Sequence, residues 1–95
     1  MTELKKKPVV YIVSDSIGDT AEFVVKAVAS QFNSGQVETR RVPFVEDKAK
    51  IIELLEEAGE CRAIVAYTLV VPELRRTMEE ESKKYPIYTA DILGS

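Results

Sequence analysis

The sequence predicts an α/β fold, because short β-branched runs alternate with amphipathic segments of helical period along its 95 residues. A hydrophobic fraction of 45% and a charged fraction of 31% are typical of a globular protein. At roughly 100–200 residues per domain, this length corresponds to one domain over residues 1–95. Strands that alternate with helices favour a parallel sheet with right-handed crossovers.

The first half of the chain predicts two strands, each followed by a helix. Residues 9–13 are an apolar run typical of a strand buried on both faces, and a helix is expected from Asp19 or Thr20 to Phe32. Mixed charges and Pro43 indicate an edge strand over residues 37–44, before a helix over residues 47–58. The expected buried stripe of the first helix consists of Ala21, Val24, Val25, Val28 and Phe32, widened by Phe23 and Ala27.

The second half repeats the alternation. Residues 63–67 are apolar enough for a central strand, and Pro72 suits the first turn of a helix that extends to about Lys84. A fourth strand is expected to start at residues 86–89. The first and third strands are the most apolar, so the predicted strand order is 2-1-3-4, in a three-layer Rossmann-like or flavodoxin-like unit.

Composition excludes several classes of function. The chain has no histidine and one cysteine, which removes the usual general base, the common zinc sites and any internal disulfide. The sequence pI of about 5.0 argues against nucleic-acid and anionic-membrane partners. The basic start is followed by an apolar run too short for a membrane span, and no signal-peptide cleavage pattern follows. We therefore expect a cytoplasmic protein without a bound metal.

Candidate functional residues gather where the predicted strands end. Ligands of open parallel sheets bind outside the carboxyl ends of the strands, at the switch point between the first and third strands. A small, hydroxyl-rich turn that enters a helix offers free amides and a positive dipole end to a phosphate or another anion. Ser14, Asp15, Ser16, Gly18 and Thr20 follow the first strand, Glu46 the second, Thr68 the third, and Asp91 and Gly94 the fourth.

Other interpretations of these residues stay open. Ser, Asp and Thr are also the preferred helix N-caps, and the charges of Asp15 and Asp19 count against a bound anion. Arg40 and Arg41 could reach a phosphate, but they point to opposite faces of a strand. The simpler interpretation is that both are solvated edge charges. Cys61 fits a small core or boundary residue better than a nucleophile.

Known phosphate-binding motifs are absent or imperfect. Neither a Walker-type loop nor Gly-x-Gly-x-x-Gly occurs, and the third strand lacks the aspartate of a receiver domain. A flavodoxin-type phosphate loop is approached over residues 14–20, with one residue too many at Ile17. A flavodoxin-like binder of phosphate or flavin therefore remains an alternative.

Several segments together resemble one protein family. In order along the chain, they are residues 10–22, 24–27, 30–32, 41–45, 67–75 and 91–94. They are similar to the regulatory proteins of pyruvate, phosphate dikinase and phosphoenolpyruvate synthase in bacteria and plants. The resemblance covers nearly the whole chain, and its most specific part is the Ser-Asp-Ser-x-Gly-x-Thr-Ala turn that begins at Ser14.

The resemblance implies a bifunctional serine/threonine kinase and phosphorylase. Such proteins use ADP to phosphorylate a threonine of the dikinase or synthase, and they remove that phosphate with inorganic phosphate, releasing pyrophosphate. The family's P-loop lies in a C-terminal part that no residue here matches. The resemblance therefore implies an N-terminal domain of a longer protein, inactive alone, with ADP and phosphate as ligands of the full-length protein.

A non-catalytic role is the second hypothesis. The narrow apolar stripe of the third helix, at Leu74, Thr77 and Met78, leaves room for a partner surface. On this interpretation the domain docks the target enzyme or forms a homodimer.

Overall fold

The computed structural model describes residues 8–30 and 37–94. Strands and helices alternate strictly in this part of the chain. A short 3-10 helix, Ser82–Lys84, follows the last α-helix. The strands are β1 (Val9–Ser14), β2 (Glu38–Val42), β3 (Ile64–Thr68) and β4 (Tyr88–Asp91), and the helices are α1 (Asp19–Ala29), α2 (Lys48–Glu60) and α3 (Pro72–Glu81).

The four strands form one parallel sheet in the order β2-β1-β3-β4. This confirms the predicted fold class and strand order. The apolar strands β1 and β3 are central, and the charged strand β2 lies at an edge, as expected. Because β1 pairs with β3 through Ser14 and Thr68, the loops that follow these two strands start side by side.

Helices α2 and α3 cover one face of the sheet and enclose the larger core. Each helix buries one apolar stripe, while charged residues occupy its outer side. Asp47 caps α2 by accepting a 2.9 Å hydrogen bond from the amide of Lys50. The buried residues of this core include Tyr11, Val13, Ile51, Leu54, Leu55, Val65, Tyr67, Leu69, Leu74 and Met78.

Helix α1 lies on the opposite face with a much smaller core. The buried residues of that core are Val10, Ile12, Ala21 and Ala66. The predicted apolar stripe of α1 is therefore only partly correct: Phe23 is 75% exposed and Val28 is 55% exposed. The physical reason is that the sheet beside α1 is left uncovered among the described residues, so that nothing packs against the flank of this helix.

Several element ends differ from the sequence prediction. Strand β2 ends before Pro43, which has no amide hydrogen to donate to a ladder. Strand β4 starts at Tyr88, two residues later than expected, because Ile87 donates to the carbonyl of Tyr85 in a turn instead. The expected end of the first helix at Phe32 lies outside the described residues. No described helix is long and apolar enough to cross a membrane.

Candidate functional site

A cleft of about 240 Å³ opens at the carboxyl edge of the sheet, between the loops after β1 and β3. Strands β2 and β3 flank β1 on opposite sides, so this point is the topological switch of the fold. Its lining brings together the turn after β1, Thr68 at the end of β3, and residues of the next loops. The lining residues are Ser16, Ile17, Gly18, Asp19, Thr20, Thr68, Val70 and Leu93.

The turn after β1 is held by its own hydroxyls and by the loop after β2. Buried Ser14 accepts a 3.0 Å hydrogen bond from the amide of Ser16, and the two hydroxyl oxygens lie 3.1 Å apart. The carbonyls of Ser14 and Ser16 accept bonds from the amides of Val45 and Phe44 at 3.0 and 2.9 Å. Ser14 therefore supports the turn, whereas Ser16 and Thr20 line the cleft.

The amino end of α1 is formed by glycine without a side-chain cap. Gly18 is the N-cap residue, with a left-handed φ of 85°, and it has no side chain that could accept a hydrogen bond from the first amides. The first intrahelical bond comes from the amide of Glu22, so the amides of residues 19–21 have no backbone partner within the helix. Helix α2 differs, because the side chain of Asp47 satisfies one of its first amides.

Asp15 does not face the cleft as a free carboxylate. Its Oδ2 accepts hydrogen bonds from the amides of Val70 and Val71, at 2.7 and 2.8 Å. Val71 is the N-cap residue of α3, so the carboxylate also lies at the positive end of that helix. Asp15 thus joins the loop after β1 to the start of α3 and fixes one wall of the cleft.

Arg41 lies against the same turn from strand β2. Its guanidinium donates to the carbonyl of Ile17 and lies 3.4 Å from carboxylate oxygens of both Asp19 and Glu22. The pKa of Glu22 is lowered, first by a hydrogen bond with Lys26 and then by the charge of Arg41. Arg41 is an exposed charge of edge strand β2, as expected, and it also offsets the negative charge beside α1.

The residues predicted after β4 form a separate ion-paired cluster. Asp91 pairs with Arg75 of α3, and the same guanidinium donates to the carbonyl of Leu69 at 3.0 Å. The hydrogen bond to Asp91 raises the pKa of Arg75. Gly94, with a φ of 78°, closes a turn by donating to the carbonyl of Asp91 at 3.2 Å. Asp91 and Gly94 thus position the loop that delivers Leu93 to the cleft.

The structure brings some predicted residues together and leaves others apart. Ser16, Gly18, Thr20 and Thr68 share the cleft, while Ser14 and Asp15 support it. Glu46 is exposed and is not part of the cleft lining. Cys61 is also exposed, rather than in the core.

Sequence reasoning missed the supporting roles of Arg41 and Arg75. Their partners Ile17, Asp19 and Asp91 lie 16 to 24 residues away along the chain. Only the three-dimensional contacts bring these residues to the site. The one hint in the sequence was that both arginines belong to segments that carry the family resemblance.

Tyr67 of β3 is buried in the larger core, and it makes the stability of the fold sensitive to alkaline pH. Burial raises its pKa above the ordinary value of 10, and the charges of Asp91 and Glu79 raise it further. The folded state therefore favours the neutral form of this tyrosine. The stability that the neutral tyrosine contributes to the fold is fully present below pH 10 and is lost as the pH rises through the raised pKa.

We expect Tyr67→Phe to make the stability curve flatter above pH 10, where unfolding of the wild type exposes a phenol that ionises. Urea unfolding at a series of pH values measures this. Tyr88→Phe is the matched control, since Tyr88 is 79% exposed. Equal flattening in both variants would contradict the role of burial at Tyr67.

The parallel sheet and the cleft at its switch point place the chain among the doubly wound α/β proteins, whose ligands bind at this edge. The family model described as kinase/pyrophosphorylase matches residues 10–95. The chain belongs to this kinase/pyrophosphorylase family.

Curated relatives carry the name pyruvate, phosphate dikinase regulatory protein. One from Desulfitobacterium hafniense (strain DSM 10664 / DCB-2) is 51% identical over 90 residues, covering 95% of this chain and 33% of the relative. One from Shouchella clausii is 51% identical over 94 residues, covering 99% of this chain and 35% of the relative. The chain thus spans about a third of the length of these relatives.

Proposed function

We propose that this chain is the N-terminal domain of a bifunctional kinase and pyrophosphate-forming phosphorylase that acts on pyruvate, phosphate dikinase. Within that protein, the uncapped amino end of α1 binds a phosphoryl group at the cleft. The group belongs to ADP, to inorganic phosphate or to the phosphorylated loop of the target. Family membership and the names of the relatives support the activity, and the geometry of the cleft supports the role of this domain.

The single observation that carries the phosphate role is the free amino end of α1 beside the cleft. The amides of Asp19, Thr20 and Ala21 have no intrahelical acceptor, and no described side chain caps the helix. Backbone amides at the positive end of a helix are the groups that bind phosphate in many α/β proteins. Ser16, Thr20 and Thr68 line the same cleft, and their hydroxyls would add donors.

The negative charge near the turn is less unfavourable than the sequence suggests. The carboxylate of Asp15 is held by the amides of Val70 and Val71, and that of Asp19 lies 3.4 Å from Arg41. A bound phosphate would compete with Asp19 for the Arg41 guanidinium, because guanidinium groups form strong charge-assisted hydrogen bonds with phosphate. If Arg41 exchanges Asp19 for the phosphate, it provides the positive charge that a lysine provides in a P-loop.

This domain would then supply only part of the phosphoryl-transfer site. Phosphoryl transfer needs groups that hold the nucleotide phosphates and their metal ions, and this chain has no Walker-type loop. The family's P-loop region would provide those groups. We therefore expect the 95-residue chain to bind phosphate-containing ligands weakly and to transfer no phosphate by itself.

Titration calorimetry with pyrophosphate tests the binding role. We expect Thr20→Val to weaken binding by about fivefold, since it removes one hydroxyl donor worth about 1 kcal/mol and keeps the branched shape. Thr39→Val, the same substitution on exposed strand β2, is the matched control. Equal affinity of the two variants would contradict a contribution of the Thr20 hydroxyl, and no heat with the wild type at millimolar ligand would contradict binding at the cleft.

A further inference from the structure

An open apolar groove lies beside α1, on the face of the sheet opposite α2 and α3. Its volume is about 480 Å³. Its floor includes Ile64, Ala66, Ala90 and Ile92, and the flank of α1 contributes Val25 and Val28. None of the described lining residues is charged, so the groove fits an apolar occupant rather than a polar ligand.

One further helix would be enough to cover the open part of this face. Adjacent strands lie about 4.8 Å apart and packed helices about 10 Å apart, so one helix covers about two strands. In the described part of the chain, the opposite face of the sheet carries two helices, α2 and α3, whereas this face carries α1, which packs on β1 and β3. Parallel sheets are normally covered on both faces, yet here Ile64 is 39% exposed and its neighbour Tyr88 is 79% exposed.

Helices α2 and α3 of a second copy do not match this groove. The outward faces of α2 and α3 carry mostly glutamate, lysine and arginine, and their apolar residues are buried in the larger core. Burying such a charged face in a groove without charged or polar partners would be unfavourable.

We propose that the groove is occupied by an amphipathic helix from the part of the family's chain that follows this third. The relatives are about three times as long as the matched region, so about two thirds of their sequence is available to supply it. Ala90 and Ile92 of the groove floor belong to β4 and the turn after it, so chain that continues from there leaves beside the groove. Closing this face would attach the rest of the protein next to the cleft. The inference rests on the proposed position of this chain as an N-terminal domain and not on phosphate binding.

Thiol accessibility tests this proposal. In a Cys61→Ser background, Val28→Cys reports on the groove and Phe23→Cys, on the same helix outside the groove lining, is the matched control. Both thiols are expected to react rapidly with Ellman's reagent in the 95-residue chain. In a chimera extended by the remaining sequence of the Desulfitobacterium hafniense relative, the thiol at position 28 should react about tenfold more slowly, since a covered thiol reacts only after local opening.

Three results would overturn the proposal. Equal reactivity of the two thiols in the folded chimera would mean that the added sequence does not cover the groove. Protection at position 28 that grows with the concentration of the 95-residue chain would identify a second copy as the occupant. Protection in a monomeric 95-residue chain would mean that the chain covers the groove itself.

A second variant keeps the proposal testable if the chimera does not fold. Val28→Lys in the 95-residue chain should change the melting temperature no more than Phe23→Lys does, because both side chains are exposed there. A much larger loss with Val28→Lys would show that the groove is already filled, and would contradict the proposal.

Discussion

Replacing Asp15 with alanine is expected to lower the free energy of unfolding by about 2–3 kcal/mol, because hydrogen bonds to a charged group contribute more than neutral ones. The substitution removes the shared acceptor of the Val70 and Val71 amides and the charge at the start of α3. These contacts join segments that are 55 and 56 residues apart in the chain. Urea unfolding followed by circular dichroism measures the loss.

Two further variants separate the causes at Asp15. Asp15→Asn keeps one oxygen that can accept from both amides but loses the charge, so its loss should be smaller than that of Asp15→Ala. Asp19→Ala removes a carboxylate whose side chain is 75% exposed and should change stability by at most about 1 kcal/mol. If Asp15→Ala were no more destabilising than Asp19→Ala, the proposed link between the two loops would be wrong.

Replacing Gly18 with alanine is expected to cost about 1–2 kcal/mol, since residues with a side chain disfavour the left-handed region. The φ of 85° lies in that region, and an added Cβ would lie 3.3 Å from the Cβ of Ser14. Because a loss of 1 kcal/mol lowers the melting temperature by about 4–8 °C in a domain of this size, differential scanning calorimetry detects the change easily.

Gly94→Ala is the matched control for this substitution. Gly94 also has a left-handed φ, of 78°, but an added Cβ would meet no atom within 4 Å. The difference in stability between the two variants therefore measures how much the crowding of an added Cβ against Ser14 destabilises the turn. Equal losses at Gly18 and Gly94 would contradict the view that the turn before α1 is tightly packed.

The sequence predicts the fold well because hydrophobic periodicity is a local property. The apolar runs of β1 and β3 and the charged strand β2 determine which strands are central, and strict alternation with helices determines parallel pairing. The stripe of α1 was predicted less accurately. Apolar spacing marks a face that is to be buried, but it does not say whether its partner lies within these 95 residues.

The candidate site was predicted in outline only. Composition and the switch-point rule identify Ser16, Gly18, Thr20 and Thr68, which do line one cleft. They do not reveal that Asp15 makes long-range hydrogen bonds. An aspartate in a turn has the same local sequence pattern whether it caps its own helix or a distant one. Glu46 was expected at the cleft edge and lies elsewhere, because the loop after β2 folds toward the turn through Phe44 and Val45.

The central claim is that the uncapped end of α1 binds phosphoryl groups, and an amide-shift titration of the ¹⁵N-labelled chain with pyrophosphate tests it most directly. The first amides of α2, which Asp47 caps, serve as the control in the same spectrum. We expect saturable shifts at residues 18–21 and at Thr68, with much smaller shifts at residues 48–50. Equal shifts at both helix ends, or none at residues 18–21 at millimolar pyrophosphate, would contradict the proposed site.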